Sequence, residues 1–181
     1  MTVRAQGPGL SIEGSHSEMD AYQAIISKRD RRQYDSRPIP EDVQHRILQA
    51  GRMAGSSSNS MLLRLIVLND RGVLEALVPA GRGTAPMLKA PLAVAIVHKE
   101  GASGFDIGRI AQNMMVAAWA DGVANCPQGI QDQAVARRAL GLPDDYSVGM
   151  CLAFGYPDAS VPAAESRPRV SIDEMVHWGR W

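Results

Sequence analysis

The chain has 181 residues, of which 45% are hydrophobic, so it carries enough apolar material for one globular core and is too short for two. We therefore expect a single domain over residues 19–181, preceded by a flexible N-terminal arm at residues 1–18. Lysine plus arginine and aspartate plus glutamate each number 19, which gives a formal net charge of zero. This balance argues against a general polyanion binder, and we expect no nucleic-acid partner.

The two cysteines, Cys126 and Cys151, match no metal-ligand spacing and are too few for a disulfide framework, which is typical of a reducing compartment. The N-terminal residues contain no apolar core of signal-peptide length, and no long uncharged apolar run follows them. We therefore expect a soluble cytoplasmic protein without a metal site and without a membrane partner.

Apolar residues at helical spacing predict a first helix over residues 21–29 and a second helix that ends near Ala54, with Pro40 at its first position. The polar run 55–60 predicts a loop, because serine and asparagine bond their own backbone. Residues 62–68 and 92–97 form apolar runs that are typical of strands covered on both faces. A short helix is predicted near residues 73–78, between these two strands.

Residues 105–121 are apolar almost all round and predict a long helix buried on several sides, by its own sheet, by a partner subunit or by both. The pattern then predicts an irregular segment over 122–131, an amphipathic helix over 132–140 and a third strand over 148–154. A C-terminal helix is predicted from Ser171. This order of elements predicts an α+β protein, with helices around a small sheet.

Three polar clusters are candidates for chemistry. Lys28 to Arg32 place four cations within five residues, which either clamp a phosphate or form a solvated face. The Ser56–Asn59 loop either holds the polar edge of a planar cofactor or only connects two elements. Arg167 and Arg169 add two cations near the C-terminus. No hydrolase motif or Gly-rich phosphate loop is present, so we expect any chemistry to belong to a bound cofactor.

Five segments, taken in order, resemble the nitroreductase-like family of FMN-dependent oxidoreductases. They are AIISKRDRRQYDSRPIPEDV, AGRMAGSSSNS, FDIGRIAQNMMVAAWADGVANCPQG, LGLPDDYSVGMCLAFGYP and SRPRVSIDEMVHWGRW. The resemblance implies an α+β nitroreductase-like fold with a small mixed sheet surrounded by helices. It also implies an intertwined homodimer with FMN at the subunit interface.

The resemblance further implies which residues bind the cofactor. The basic residues would hold the phosphate and ribityl oxygens, and the serine loop would come from the partner chain. A backbone N–H in the Pro127–Gly129 stretch would bond N5 of the flavin, with Gln128 or Gly129 as the favoured donor. The implied cofactor-binding residues are Lys28, Arg29, Asp30, Arg32, Gly55, Ser56, Ser57, Ser58, Asn59, Met61, Pro127, Gln128, Gly129, Arg167 and Arg169.

The activity implied by the resemblance is electron transfer from NADH or NADPH through FMN to a small planar acceptor such as a nitroaromatic or a quinone. This chemistry takes place at FMN N5 and needs no catalytic side chain. Met61-Leu62-Leu63 stand where the family commonly has Gln-Pro-Trp, so acceptor preference is expected to differ. The alternatives are a flavin-binding or regulatory protein without NAD(P)H turnover, another FMN reaction such as dehalogenation or enone reduction, or a structural α+β protein.

Overall fold

The structure is a computed structural model that describes residues 19–56, 59–60, 62–162 and 168–181. Helix α1 (Ala21–Ser27) begins where the Asp20 carboxylate accepts a hydrogen bond from the N–H of Gln23. Helix α2 (Glu41–Arg52) follows Pro40, and Glu41 and Asp42 in its first turn complement the helix dipole. Both predicted helices are confirmed. Each ends about two residues earlier than predicted.

In the described residues the sheet has four strands, namely β1 (Leu63–Val67), β2 (Leu92–Lys99), β3 (Ala124–Gln128) and β4 (Tyr146–Gly155). Their spatial order is β1-β2-β4-β3, and each of the three neighbouring pairs is antiparallel. The expectation of a mixed sheet is therefore wrong for these strands. The parallel pairing found in the described residues is confined to an isolated bridge between Asp30 and Asn125.

Strand β3 lies inside the segment 122–131, which the sequence pattern predicted to be irregular. Its sequence, Ala-Asn-Cys-Pro-Gln, contains a proline and an asparagine, which have low strand propensity. The strand forms because it occupies an edge of the sheet and pairs only with β4 among the named strands, where a proline is tolerated. Tertiary pairing here overrides the local pattern.

The remaining helices are α3 (Arg71–Leu77), α4 (Gly104–Ala120), α5 (Gln133–Leu140) and the single-turn α6 (Ile172–Met175). Short 3-10 helices follow α3 at Val78–Ala80 and precede β2 at Ala85–Leu88. The predicted C-terminal helix does start after Ser171, whose hydroxyl accepts from the N–H of Glu174. No helix in the described ranges is long and apolar enough to cross a membrane.

The core has two layers, one on each face of the sheet. One layer contains Leu77, Met87 and Val97 and is completed by α3 and α5. The other contains Ile47 and Met114 and is completed by α2 and α4. Strand β2 is buried on both faces, as predicted from its apolar run, whereas the edge strand β1 leaves two of its side chains exposed, those of Arg64 and Val67.

Helix α4 is buried on one side within this chain. Met114, Met115 and Ala118 face the core. The opposite side carries Phe105, which is 73% exposed, and the exposed Gln112. The predicted burial on several sides therefore depends on contacts that a single chain does not supply.

An ion pair joins α2 to the end of α4. Arg46 Nη2 lies 3.1 Å from Asp121 Oδ1, and the Asp121 side chain is only 7% exposed. The second nitrogen Nη1 of Arg46 and the second oxygen Oδ2 of Asp121 are buried without a hydrogen-bond partner in the described residues. Removing the guanidinium would therefore leave a buried carboxylate without its counter-charge.

We predict that Arg46→Gln lowers the free energy of unfolding by about 1–3 kcal/mol, less than for a fully buried pair because Arg46 is partly solvated. Urea unfolding measures the change. Glu75→Gln is the control, since it removes the exposed pair between Glu75 and Arg71 at i,i+4 spacing, which is worth at most about 0.5 kcal/mol. Equal effects of the two substitutions would contradict the prediction.

Candidate functional site

The basic segment, defined as residues 28–32, leaves the end of α1 and runs along the edge of the sheet. Asp30 forms the isolated bridge with Asn125 on β3, and the N–H of Arg31 donates to the carbonyl oxygen of Asn125 at 3.0 Å. Further along, the N–H of Asp35 donates to the carbonyl oxygen of Tyr156, also at 3.0 Å. Main-chain hydrogen bonds therefore fix the position of the cations relative to β3.

Tyr34 anchors the end of this segment in the core. Its hydroxyl donates to the carbonyl oxygen of Arg31 at 2.6 Å and lies 3.3 Å from that of Ala153. A side chain at Gly155 would not fit, because a Cβ there would lie 2.7 Å from the Cβ of Tyr34. Burial raises the pKa of Tyr34 well above its usual range, and nearby Cys126 and Asp30 raise it further. The phenol therefore keeps its proton, and remains a hydrogen-bond donor, above pH 10.0, where an ordinary tyrosine would lose it.

A second anchor joins the end of α1 to α4. Trp119 Nε1 donates to the hydroxyl of Ser27 at 2.9 Å. Lys28 Nζ is paired with the Asp30 carboxylate and lies 3.5 Å from the sulfur of Met115, and the Lys28 side chain is 11% exposed. The Lys28 charge is thus largely turned inward and shared with Asp30.

Arg29 and Arg32 are the exposed cations of the segment. Arg29 Nη1 donates to the carbonyl oxygens of Ile26 and Lys28, at 2.9 and 2.8 Å, near the end of α1. Arg32 lies close enough to Cys126 to affect its thiol, whose pKa is raised by burial and partly lowered by Arg32. Within the described part of the chain, no carboxylate forms a salt bridge with either arginine. Both guanidinium groups can still bind an anion.

Pro127 and Gln128 lie on β3, and Gly129 follows it. They are only a few residues from Asn125, so the structure brings the predicted flavin-edge residues and the basic segment to one edge of the sheet. Gln128 is 3% exposed, and neither atom of its side-chain amide has a hydrogen-bond partner in the described residues. Sequence reasoning considered the backbone of Gln128 and missed this buried amide.

The serine loop lies elsewhere in the same chain. Ser56 and Asn59 line a crevice of about 270 Å³ together with the end of α2 and strand β1. A Cβ at Gly55 would lie 2.4 Å from Nη2 of Arg109, so the loop packs closely against α4. No hydrogen bond or ion pair recorded for the described residues joins Ser56 or Asn59 to the basic segment. Ser57, Ser58, Met61 and Arg167 lie outside the described residues.

The segment after β4 begins beside the basic segment. Arg31 Nη2 donates to the carbonyl oxygen of Val161 at 2.9 Å, and the N–H of Asp158 donates to that of Gln33 at 3.4 Å. Arg169 itself is exposed, and no contact between it and the basic segment is found among the described residues. Its predicted role in cofactor binding stays a prediction.

A sequence profile of the Nitroreductase family matches residues 25–105 and 98–156, which together cover more than half of the chain. The chain belongs to the nitroreductase family. The matched residues include the basic segment, the serine loop and β3, the three parts of the candidate site. This result confirms the resemblance seen in the sequence.

Individual relatives agree with this membership. Over 183 residues, 95% of this chain and 93% of the relative, the chain is 28% identical to a Methanothermobacter thermautotrophicus protein whose name pairs NADH dehydrogenase with NAD(P)H nitroreductase. Among solved structures, nitroreductase A from Vibrio parahaemolyticus superposes with a TM-score of 0.81 at 23% identity, covering 89% of this chain and 76% of that one. The NADPH:FMN oxidoreductase from Vibrio harveyi, complexed with NAD⁺, gives the same TM-score at 22% identity, with coverages of 89% and 77%. These structures confirm the nitroreductase fold.

We predict that Tyr34→Phe lowers the free energy of unfolding at pH 7 by about 1–2 kcal/mol, because the carbonyl oxygen of Arg31 loses its donor. The difference from the wild type should shrink above pH 10.0, the ordinary pKa of tyrosine. Above that pH the unfolded tyrosine loses a proton that the folded protein retains, so the wild type loses up to about 1.4 kcal/mol per pH unit that the variant does not. Urea unfolding between pH 7 and 11 measures both effects. A difference that stays constant with pH would contradict the assignment.

Proposed function

We propose that this member of the nitroreductase family is an FMN-dependent NAD(P)H oxidoreductase that passes electrons to a small planar acceptor, such as a nitroaromatic or a quinone. One observation carries the proposal. Arg29 and Arg32 are exposed and have no carboxylate partner in the described residues. The backbone of their segment is hydrogen-bonded to β3, the strand that carries the Gln128 amide, which has no hydrogen-bond partner in those residues. This arrangement offers cations and a neutral amide along one edge of the sheet.

The residues present fit the chemistry of FMN. Guanidinium groups bind phosphate with bidentate, charge-assisted hydrogen bonds, and Arg29 and Arg32 supply two of them. A buried amide such as that of Gln128, which has no hydrogen-bond partner in the described residues, can complement the polar edge of a planar ring system. The names of structural neighbours support the same cofactor, since they include an NADPH:FMN oxidoreductase and an FMN-dependent nitroreductase from Clostridium difficile.

When bound, FMN would supply the redox chemistry, accepting a hydride from NAD(P)H and passing the electrons to the acceptor. The chain's own residues would bind and orient it. Arg29 and Arg32 would hold the phosphate, and the Lys28–Asp30 pair would keep the segment against Met115. Because a hydride transfer of this kind needs no side-chain acid or base, placing the reactants together is the main task of the protein.

We also propose that the site is completed by a second copy of the chain. Tyr22, Ile25 and Ile26 of α1 are exposed, as are Met53 and Phe105. Ile25 and Met53 line a groove between α1, α2 and α4, which is apolar for most of its surface. A homodimer that covers this groove would bury the outer side of α4. It would also allow the partner's Ser56 and Asn59 to reach a cofactor held by the basic segment, to which no hydrogen bond or ion pair in the described residues joins them within one chain.

The activity is tested with FMN-loaded protein. We expect NADH or NADPH oxidation that depends on added nitrofurazone or menadione and is followed as the loss of absorbance of the reduced nucleotide. Omitting FMN from the apoprotein is the control and should abolish turnover. If the loaded protein oxidises neither nucleotide with either acceptor, the proposed reaction is wrong.

The phosphate assignment is tested by Arg32→Ala, which we expect to raise the Kd of FMN about tenfold through the loss of a charge-assisted hydrogen bond. Fluorescence titration of the apoprotein measures it. Arg138→Ala is the matched control, because Arg138 is an exposed arginine on α5. An unchanged Kd for Arg32→Ala would remove Arg32 from the site.

The shared site is tested by Ile25→Glu, which places a charge in the apolar groove. We expect sedimentation equilibrium to show a dimer for the wild type and a shift toward monomer for the variant, together with weaker FMN binding. Ala134→Glu, at an exposed position on α5, is the control and should remain dimeric. A monomeric wild type that binds FMN tightly would contradict the shared site.

A further inference from the structure

Asn125 is a completely buried polar residue on β3, and neither its burial nor its contacts could be read from the sequence. Its exposed fraction is 0%. It lies at the point where β3, α4 and the basic segment meet. Its carbonyl oxygen contacts the basic segment, and its side-chain Nδ2 contacts α4.

The backbone of Asn125 binds the basic segment, and its side chain binds α4. The carbonyl oxygen accepts from the N–H of Arg31 at 3.0 Å. The side-chain Nδ2 donates to the carbonyl oxygen of Met115 at 2.9 Å, and also lies 3.4 Å from that of Val123. The sulfur of Met115 in turn lies 3.5 Å from Nζ of Lys28. A single residue therefore reaches the basic segment by two routes.

Burying the side-chain amide of Asn125 carries a free-energy cost. Its oxygen Oδ1 is buried without a hydrogen-bond partner in the described residues. An apolar side chain of similar size would avoid this cost. The contribution of the amide therefore lies in the bond from Nδ2 to α4, which fixes β3 against the helix that supports Lys28.

We infer that Asn125 is a positioning residue that sets the spacing between the phosphate-binding cations and residues 127–129, which are the end of the same strand and the residue after it. The inference rests on the proposed function, in which one FMN molecule spans these two groups. Without the Nδ2 bond, β3 and α4 can shift relative to each other. The cations and the Gln128 region then no longer fit the two ends of one cofactor at the same time.

The test compares FMN with riboflavin, which has the same ring system but no phosphate. Fluorescence titration of the full-length apoprotein gives both Kd values. The ratio of the riboflavin Kd to the FMN Kd measures how well phosphate and ring contacts are satisfied together. For Asn125→Leu, we expect this ratio to fall about tenfold toward riboflavin-like binding. The Kd of riboflavin itself should change little.

Gln133→Leu is the matched control for a purely structural loss. The Gln133 amide also bridges a helix to the sheet, since Nε2 donates to the carbonyl oxygen of Val148 and Oε1 accepts from its N–H, both at 2.9 Å. It does so from α5, in the core layer on the other face of the sheet from α4. We expect Gln133→Leu to lower the melting temperature without changing the ratio. If Asn125→Leu does not fold, Asn125→Ser removes the same donor with a smaller change in packing.

Three results are distinguishable. A reduced ratio for the Asn125 variant and an unchanged one for the Gln133 variant support the inference. A ratio that Asn125→Leu and Asn125→Ser leave at the wild-type value overturns it and leaves the proposed function intact. A wild type that binds FMN no better than riboflavin overturns the phosphate site itself, and the positioning role of Asn125 with it.

Discussion

The hydrogen bond from the N–H of Arg31 to the carbonyl oxygen of Asn125 joins a charged surface segment to the edge of the sheet. A run of cations would ordinarily be a mobile, solvated face, because its charges repel and its side chains gain entropy in water. Here the backbone is held by β3, by the carbonyl oxygen of Tyr156 and by the buried phenol of Tyr34. The arginines therefore project from a fixed base, which is what a phosphate site requires.

The charges within this segment have different environments although the sequence presents them as equivalent. Lys28 is mostly buried and paired with Asp30, so its charge is offset inside the protein. Arg29 and Arg32 keep exposed guanidinium groups without carboxylate partners in the described ranges. An anion at this edge of the sheet would contact the guanidinium groups of Arg29 and Arg32 beside the Lys28–Asp30 ion pair, whose charges offset each other. Asp30 then acts by holding Lys28 in place, which accounts for an acid within a basic run.

Much of this arrangement could be predicted from the sequence, and the rest could not for definite physical reasons. The central strands β2 and β4 were predicted from apolar runs, and the cation and serine clusters from composition. Strand β3 was missed because Asn125 and Pro127 disfavour a strand locally, and only pairing with β4 stabilises it. The anchors Trp119 and Asn125 were missed because their partners lie far away along the chain, as in the Trp119–Ser27 hydrogen bond, and Tyr34 was missed because it packs against the distant Gly155. Periodicity reports which face of an element is buried and carries no information about such partners.

The central claim is that the anchored basic segment and β3 hold a flavin that NAD(P)H can reduce. The most direct measurement is the visible absorption spectrum of the protein loaded with FMN, recorded without oxygen before and after NADH or NADPH is added. We expect a bound-flavin spectrum that bleaches with either nucleotide. Bound flavin that stays oxidised would contradict the oxidoreductase and favour a binding or regulatory role, and failure to bind FMN at all would contradict the site.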